Sequence, residues 1–217
     1  MKRKIEEKLL QWKNKTKDRK PLILNGARQV GKTYLLREFG EKYYKNTVYV
    51  NLEISREVRA YFEENLEPER ILRFLEAVAG ERIIPEETLI ILDEIQSCEK
   101  ALTSLKYFCE ETPEYHITAA GSLLGVAINR NQYSFPVGKV ETIELFPMDF
   151  EEFLWAFGKE FIAVQIRDSF HTMTALPEGL HKEAIEYLRQ FLIVGGMPAA
   201  VNTFLDTGKF LDASSVQ

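Results

Sequence analysis

The chain is poor in the residues on which several functions depend. Only two cysteines, Cys98 and Cys109, occur among 217 residues. Two thiols cannot build a disulfide framework or a four-thiolate zinc site, and they read as small apolar side chains in a reducing compartment. The three histidines, His116, His171 and His181, show no ligand spacing, so no transition-metal centre is expected. No apolar run approaches the roughly 18 residues of a membrane span. The opening Met-Lys-Arg-Lys-Ile-Glu-Glu-Lys is charged and unlike a secretory signal. Internal repeats and low-complexity tracts are also missing. These absences point to a soluble, cytoplasmic protein with no membrane partner.

What is present is ordinary for a globular chain: 45% hydrophobic and 28% charged residues. The length allows one large domain, or one domain with an appendage. The net charge of −5 is unevenly spread. Residues 1–20 carry nine Lys/Arg against Glu6, Glu7 and Asp18, a local +6 that leaves −11 for the remainder. The basic start is either a solvated helix face or a phosphate-facing patch. The acidic body argues against a whole-domain nucleic-acid binder, so nucleic acid is a possible partner but not a favoured one.

Ile5, Leu9, Leu10 and Trp12 predict a first helix over residues 4–13. Short apolar runs predict strands at residues 21–25, 47–52, 88–92, 116–120 and 140–145. Helical spacing follows Lys32, with Gly40 near the end, and recurs over 54–80 with a break near Pro68, and over 99–111. Strands that are continuously apolar and separated by helices imply a parallel sheet covered on both faces. After Pro147 the strand signal fades, and residues 149–158, 180–193 and 198–206 read as helices. The expected division is an N-terminal helix and connector at 1–19, a core at 20–146 and a helical region at 147–217.

Gly26-Ala-Arg-Gln-Val-Gly-Lys-Thr33 matches G-x-x-x-x-G-K-[ST]. A chance match in a chain this long is on the order of one in a hundred. The predicted strand before it and helix after it supply the context the motif needs. Its glycines let successive N–H groups turn inward towards phosphate, and the helix N-terminus adds positive potential. Lys32 suits the β- and γ-phosphates, and the Thr33 hydroxyl suits magnesium, a hard cation. The candidate nucleotide contacts are therefore Gly26, Ala27, Arg28, Gln29, Val30, Gly31, Lys32, Thr33 and Tyr34. For Arg28 and Gln29 a surface role is equally open.

Sixty-one residues after Lys32, Thr88-Leu-Ile-Ile-Leu ends in Asp93-Glu94. The strand delivers both acids to the sheet's C-terminal edge, where open α/β sheets bind ligands. Asp93 suits a metal, held directly or through water. Glu94 suits a base that polarises water for attack on the γ-phosphate. The strand ending Ala119-Ala-Gly-Ser122 places Ser122 nearby, either as a sensor of the γ-phosphate or as part of a plain turn.

These residues resemble the AAA+ ATPases, and more closely a prokaryotic group in which this core precedes a C-terminal domain of unknown function. The resembling segments are residues 21–33 and 89–96, Gly121-Ser122, residues 144–154 (Glu-Leu-Phe-Pro-Met-Asp-Phe-Glu-Glu-Phe-Leu) and Gly195-Gly-Met-Pro198. The resemblance implies a P-loop NTPase fold: a five-stranded parallel sheet in the order 5-1-4-3-2, sandwiched by helices, with a C-terminal helical lid. It implies ATP/ADP and Mg2+ as cofactors. By position it assigns Lys32 and Thr33 to phosphate and metal, Asp93 to metal, Glu94 to the catalytic base and Ser122 to the sensor. The chain departs from the group twice. Lys139 stands in Pro136-Val-Gly-Lys-Val140, where an arginine is usual. A lysine lacks the bidentate fork, so no arginine-finger role transfers to it, and Arg130 is a weak substitute. The chain also stops soon after Gly-Gly-Met-Pro, as a fragment or a shortened relative would.

Three functions are then in play. The first is an ATP hydrolase that drives conformational change in an unknown protein client, with homo-oligomerisation possible. The second is a nucleotide-gated interaction module. The third, a small-molecule or nucleotide kinase, needs an arginine-rich lid, whereas residues 123–150 hold only Arg130 and Lys139 as basic groups. The absence of Asn-Lys-x-Asp favours adenine over guanine.

Overall fold

The computed structural model describes residues 1–122 and 135–216. Two compact units are present, one formed by Glu7–Leu145 and the other by Met1–Glu6 with Phe146–Gln217.

The first unit holds a five-stranded, wholly parallel sheet: β1 (Leu22–Gly26), β2 (Asn46–Asn51), β3 (Thr88–Asp93), β4 (His116–Gly121) and β5 (Glu141–Leu145). Its order is β2-β3-β4-β1-β5, which read from the other side is the expected 5-1-4-3-2. The central strands explain the apolar runs. All six residues of β3 and all six of β4 are buried, as parallel strands covered on both faces require. The edge strands differ. Along β2 only Val48 and Val50 are buried, and their neighbours Thr47, Tyr49 and Asn51 are half-buried.

Helices α1 (Ile5–Lys13), α2 (Lys32–Tyr43), α3 (Arg56–Glu64), α4 (Pro68–Ala79) and α5 (Glu99–Glu111) accompany the strands. The break expected near Pro68 is present: proline opens α4, where its missing N–H costs nothing. Val50, Leu52, Phe62, Leu75, Ile90, Leu92, Leu105 and Phe108 belong to one continuous core. The register sets Asn25 opposite Gly121 and Asn51 opposite Asp93. The C-terminal ends of β1, β3 and β4 therefore share one edge.

The helical unit contains α6 (Phe150–Ala156), α7 (Glu160–Thr172), α8 (Glu178–Val194), α9 (Pro198–Thr207) and α10 (Phe210–Ser214). Asp149 and Glu152 cap α6 reciprocally, each side chain accepting from the other residue's N–H. The Leu-Phe-Pro-Met and Gly-Gly-Met-Pro stretches meet here. The Met148 N–H donates to the Gly196 carbonyl at 2.7 Å. A Cβ on Gly196 would lie 2.1 Å from the Met148 oxygen, so only glycine fits.

The sequence pattern missed α7 and α10. In α7 only Ile162 and Ala163 are buried, while Phe161, Val164 and Phe170 are exposed, so no apolar stripe marks the helix. Part of the basic N-terminus is committed within this unit. Arg3 is buried, pairs with Glu152 at 3.2 Å and donates to the Phe146 carbonyl. Lys4 pairs with Asp149 at 2.6 Å and with Glu151 at 2.7 Å.

Candidate nucleotide site

The loop between β1 and α2 is shaped by close approach. A Cβ on Gly26 would sit 2.3 Å from the Leu145 carbonyl oxygen of β5. Gln29 and Gly31 have positive φ, 62° and 94°, and Gly31 is the residue that opens α2. The first N–H groups of α2 have no partner within the helix, and they meet the positive end of its dipole. Val30 is fully buried and pins the loop to the core.

Lys32 begins α2 and is only 7% exposed. Its ammonium donates to the carbonyls of Gly26 at 3.0 Å and Ala27 at 2.7 Å. Burial pulls its pKa down, against the upward pull of Glu94 and Asp93. The next residue, Thr33, donates its hydroxyl to Asp93 Oδ2 at 2.8 Å. Asp93 is buried at the end of β3, and its Oδ1 accepts the Glu94 N–H at 3.0 Å. Glu94 then turns the chain with a positive φ of 52°, and its carboxylate accepts from the Gln96 amide.

These residues enclose a cavity of about 490 Å3. Arg28, Gln29, Gly31, Lys32, Thr33 and Tyr34 line it from the loop and α2. From the strand ends come Glu53, Glu94, Gln96 and Ser122. Arg28 and Gln29, for which a surface role was equally open, thus stand in the cavity wall. Gly26, Ala27 and Val30 do not line it and shape the loop from behind. Asp93 also lies behind the wall, reached through Thr33. Lys139 is elsewhere, paired with Glu110 at 2.8 Å. Arg130 lies outside the described residues.

Sequence reasoning missed three residues here. Gln96 holds Glu94, and Glu53 brings a second carboxylate to the wall. Tyr49 donates its hydroxyl to Asp93 Oδ2 at 2.9 Å. Burial first, and then this bond to a carboxylate, raises the Tyr49 pKa. Gln96 ends the resembling segment 89–96 but had no role assigned, Glu53 and Tyr49 stand in no motif, and only the pairing of β2 with β3 brings Tyr49 to Asp93.

The donor set fits a hard divalent cation. Thr33 and Asp93 offer two oxygens already 2.8 Å apart, one of them on a buried carboxylate. Among the described residues no cluster of three His, Cys, Asp or Glu side chains forms an all-protein metal cage. Magnesium is commonly held by one carboxylate and a hydroxyl, with phosphates completing its shell.

Residues 18–154 match the family model described as an AAA domain. The chain belongs to the AAA family. Its P-loop ATPase core is thus a nucleotide-binding fold, and the strand order agrees with that assignment. Among solved structures, the chain is similar to a signal transduction ATPase with numerous domains and a tetratricopeptide repeat sensor from Pyrococcus horikoshii. Identity is 16%, the TM-score is 0.50, and the match covers 100% of this chain and 32% of that one. AMPPCP-bound DnaA from Aquifex aeolicus matches at 14% identity with a TM-score of 0.47, covering 93% of this chain and 57% of that one. Drosophila ORC bound to DNA matches at 14% identity and a TM-score of 0.48, over 97% and 63% of the two chains. At 16% identity the likeness to the Pyrococcus structure is one of fold, and the chain spans less than two thirds of each of the three structures. No curated protein sequence matches it. No helix among the described residues is long and apolar enough to cross a membrane.

Proposed function

We propose that the chain binds ATP with magnesium and hydrolyses it to ADP and phosphate, turnover driving conformational change in a protein client. The observation that carries this reading is convergence. Lys32, Thr33, Glu94 and Ser122 line one cavity, and Thr33 is hydrogen-bonded to the buried Asp93. Phosphoryl transfer needs positioning, charge neutralisation and an oriented nucleophile, with little covalent chemistry from the protein.

In this reading the N-terminal N–H groups of α2 and the Lys32 ammonium hold the phosphates. Thr33 and Asp93 hold the metal, which when bound supplies charge neutralisation at the phosphate oxygens. Arg28, Gln29 and Tyr34 flank the nucleotide, and Gly26, Ala27, Val30 and Gly31 shape its cradle. Glu94 orients a water and accepts its proton, and Ser122 contacts the γ-phosphate or that water. Residues 147–217 serve as the lid region through which turnover reaches the client. Intrinsic turnover is slow, because Lys139 is bound to Glu110 and does not line the cavity. A neighbouring copy or the client supplies the further cation. Nucleic acid is not favoured as the client, since Arg3 and Lys4 are committed to acidic partners.

One observation favours the second reading, a nucleotide-gated interaction module. Glu94 is tied to Gln96, which leaves its carboxylate less free to take a proton. Phosphate release from ATP, with and without magnesium, separates the two. Magnesium-dependent release supports the hydrolase. Tight Mg-ATP binding with no release under single-turnover conditions moves the gated module to first place.

A further inference from the structure

The Asp93 carboxylate is held by more than the phosphate-loop threonine. Its Oδ2 accepts two hydroxyls, from Thr33 at 2.8 Å and from Tyr49 at 2.9 Å. Tyr49 is fixed from several directions. Its backbone pairs with Ile91 of β3, and the Arg37 guanidinium lies 4.8 Å from its ring centroid. Asn51 stands two residues along β2, on the same face of the strand. The Asn51 Oδ1 accepts the N–H of Glu53 at 2.8 Å.

Thr33 has one hydroxyl proton. Its oxygen can ligate a cation through a lone pair while that proton still goes to Asp93, and Tyr49 is the second side-chain donor on Oδ2. Losing a donor to a buried carboxylate is costly. Groups that orient a metal ligand through hydrogen bonds typically contribute 10–100-fold to metal affinity.

We propose that Tyr49 is a positioning residue for the divalent cation, holding Asp93 in place together with Thr33. The inference rests on the nucleotide-site reading above. It predicts that Tyr49 acts on the magnesium-dependent part of nucleotide binding and leaves the magnesium-free part alone.

The test compares the parent chain with Tyr49→Phe by ADP-induced thermal shift, across a magnesium titration and in EDTA. Each shift is read against that protein's own baseline, so a destabilised variant remains informative. In EDTA the two should show ADP affinities within about twofold. The magnesium concentration giving half the extra shift should rise about tenfold in Tyr49→Phe. Arg37→Met, which keeps the hydroxyl, should titrate close to the parent. Equal magnesium midpoints in parent and Tyr49→Phe would overturn the Tyr49 assignment alone. An equal loss in EDTA would assign Tyr49 a general structural role and overturn it as well. A parent whose ADP shift ignores magnesium would instead remove the metal-site reading, and this inference with it.

Discussion

Replacing Lys32 with alanine isolates the cationic contact of the phosphate loop. The side chain is 7% exposed, and its ammonium rests between the carbonyls of Gly26 and Ala27. Burial already lowers its pKa, and Glu94 and Asp93 offset part of that penalty. In the free protein, then, Lys32→Ala removes a partly desolvated charge and leaves two carbonyls without a donor. These effects oppose one another, and the unfolding free energy should change by no more than about 1 kcal/mol. In the nucleotide complex nothing offsets the loss, because the phosphate charge remains where the cation was. Truncating one partner of a desolvated charge pair costs roughly 2–5 kcal/mol. With about 1.4 kcal/mol per tenfold, Mg-ATP affinity should fall at least about 25-fold. Titration calorimetry reads this directly, with thermal unfolding confirming the fold. Unchanged Mg-ATP affinity in a folded Lys32→Ala variant would refute the phosphate-loop assignment.

Two further perturbations test other parts of the structure. His116 is buried at the start of β4, bonded to the Tyr44 hydroxyl at 2.7 Å, and burial, with Arg19 and Lys13 nearby, lowers its pKa to about 3. The unfolded chain protonates this histidine near pH 6.5, so the neutral form's contribution is complete above that pH. It fades as pH falls towards 3, at up to about 1.4 kcal/mol per unit. Urea midpoints between pH 7 and 4 should therefore fall less steeply in His116→Gln than in the parent, and parallel slopes would contradict this. Gly196→Ala forces a methyl against the Met148 carbonyl, 2.1 Å away. Overpacking of this kind costs about 1–3 kcal/mol, and an unchanged melting temperature would show that the stretch relaxes freely.

Legibility in the sequence followed locality. The phosphate loop is eight contiguous residues whose types state their chemistry, and Asp93-Glu94 announces itself by ending a fully apolar strand. The parallel sheet was likewise readable from β3 and β4, because burial on both faces leaves no polar alternation. The strand order required the resemblance, since periodicity carries no information about neighbours. Tyr49 shows the consequence. It stands 44 residues from Asp93 and reads as an ordinary strand aromatic until β2 is placed beside β3. Arg3 is similar. Its partner Glu152 lies far along the sequence, and only the packed helical unit turns part of a basic run into a buried ion pair. Helix α7 escaped notice for the opposite reason: Phe161, Val164 and Phe170 face outward, and the amphipathic pattern is lost.

The central claim, that Glu94 is the base while Asp93 holds the metal, is tested most directly by single-turnover ATP hydrolysis in two variants, each paired with Mg-ATP affinity. Glu94 lines the cavity, whereas Asp93 is buried behind Thr33. Glu94→Gln should keep Mg-ATP affinity within a few-fold and lose about 10²–10⁴-fold in the hydrolysis step, the usual contribution of a positioned base. Asp93→Asn should lose magnesium-dependent affinity as well. Hydrolysis by Glu94→Gln at the parent rate would contradict the account.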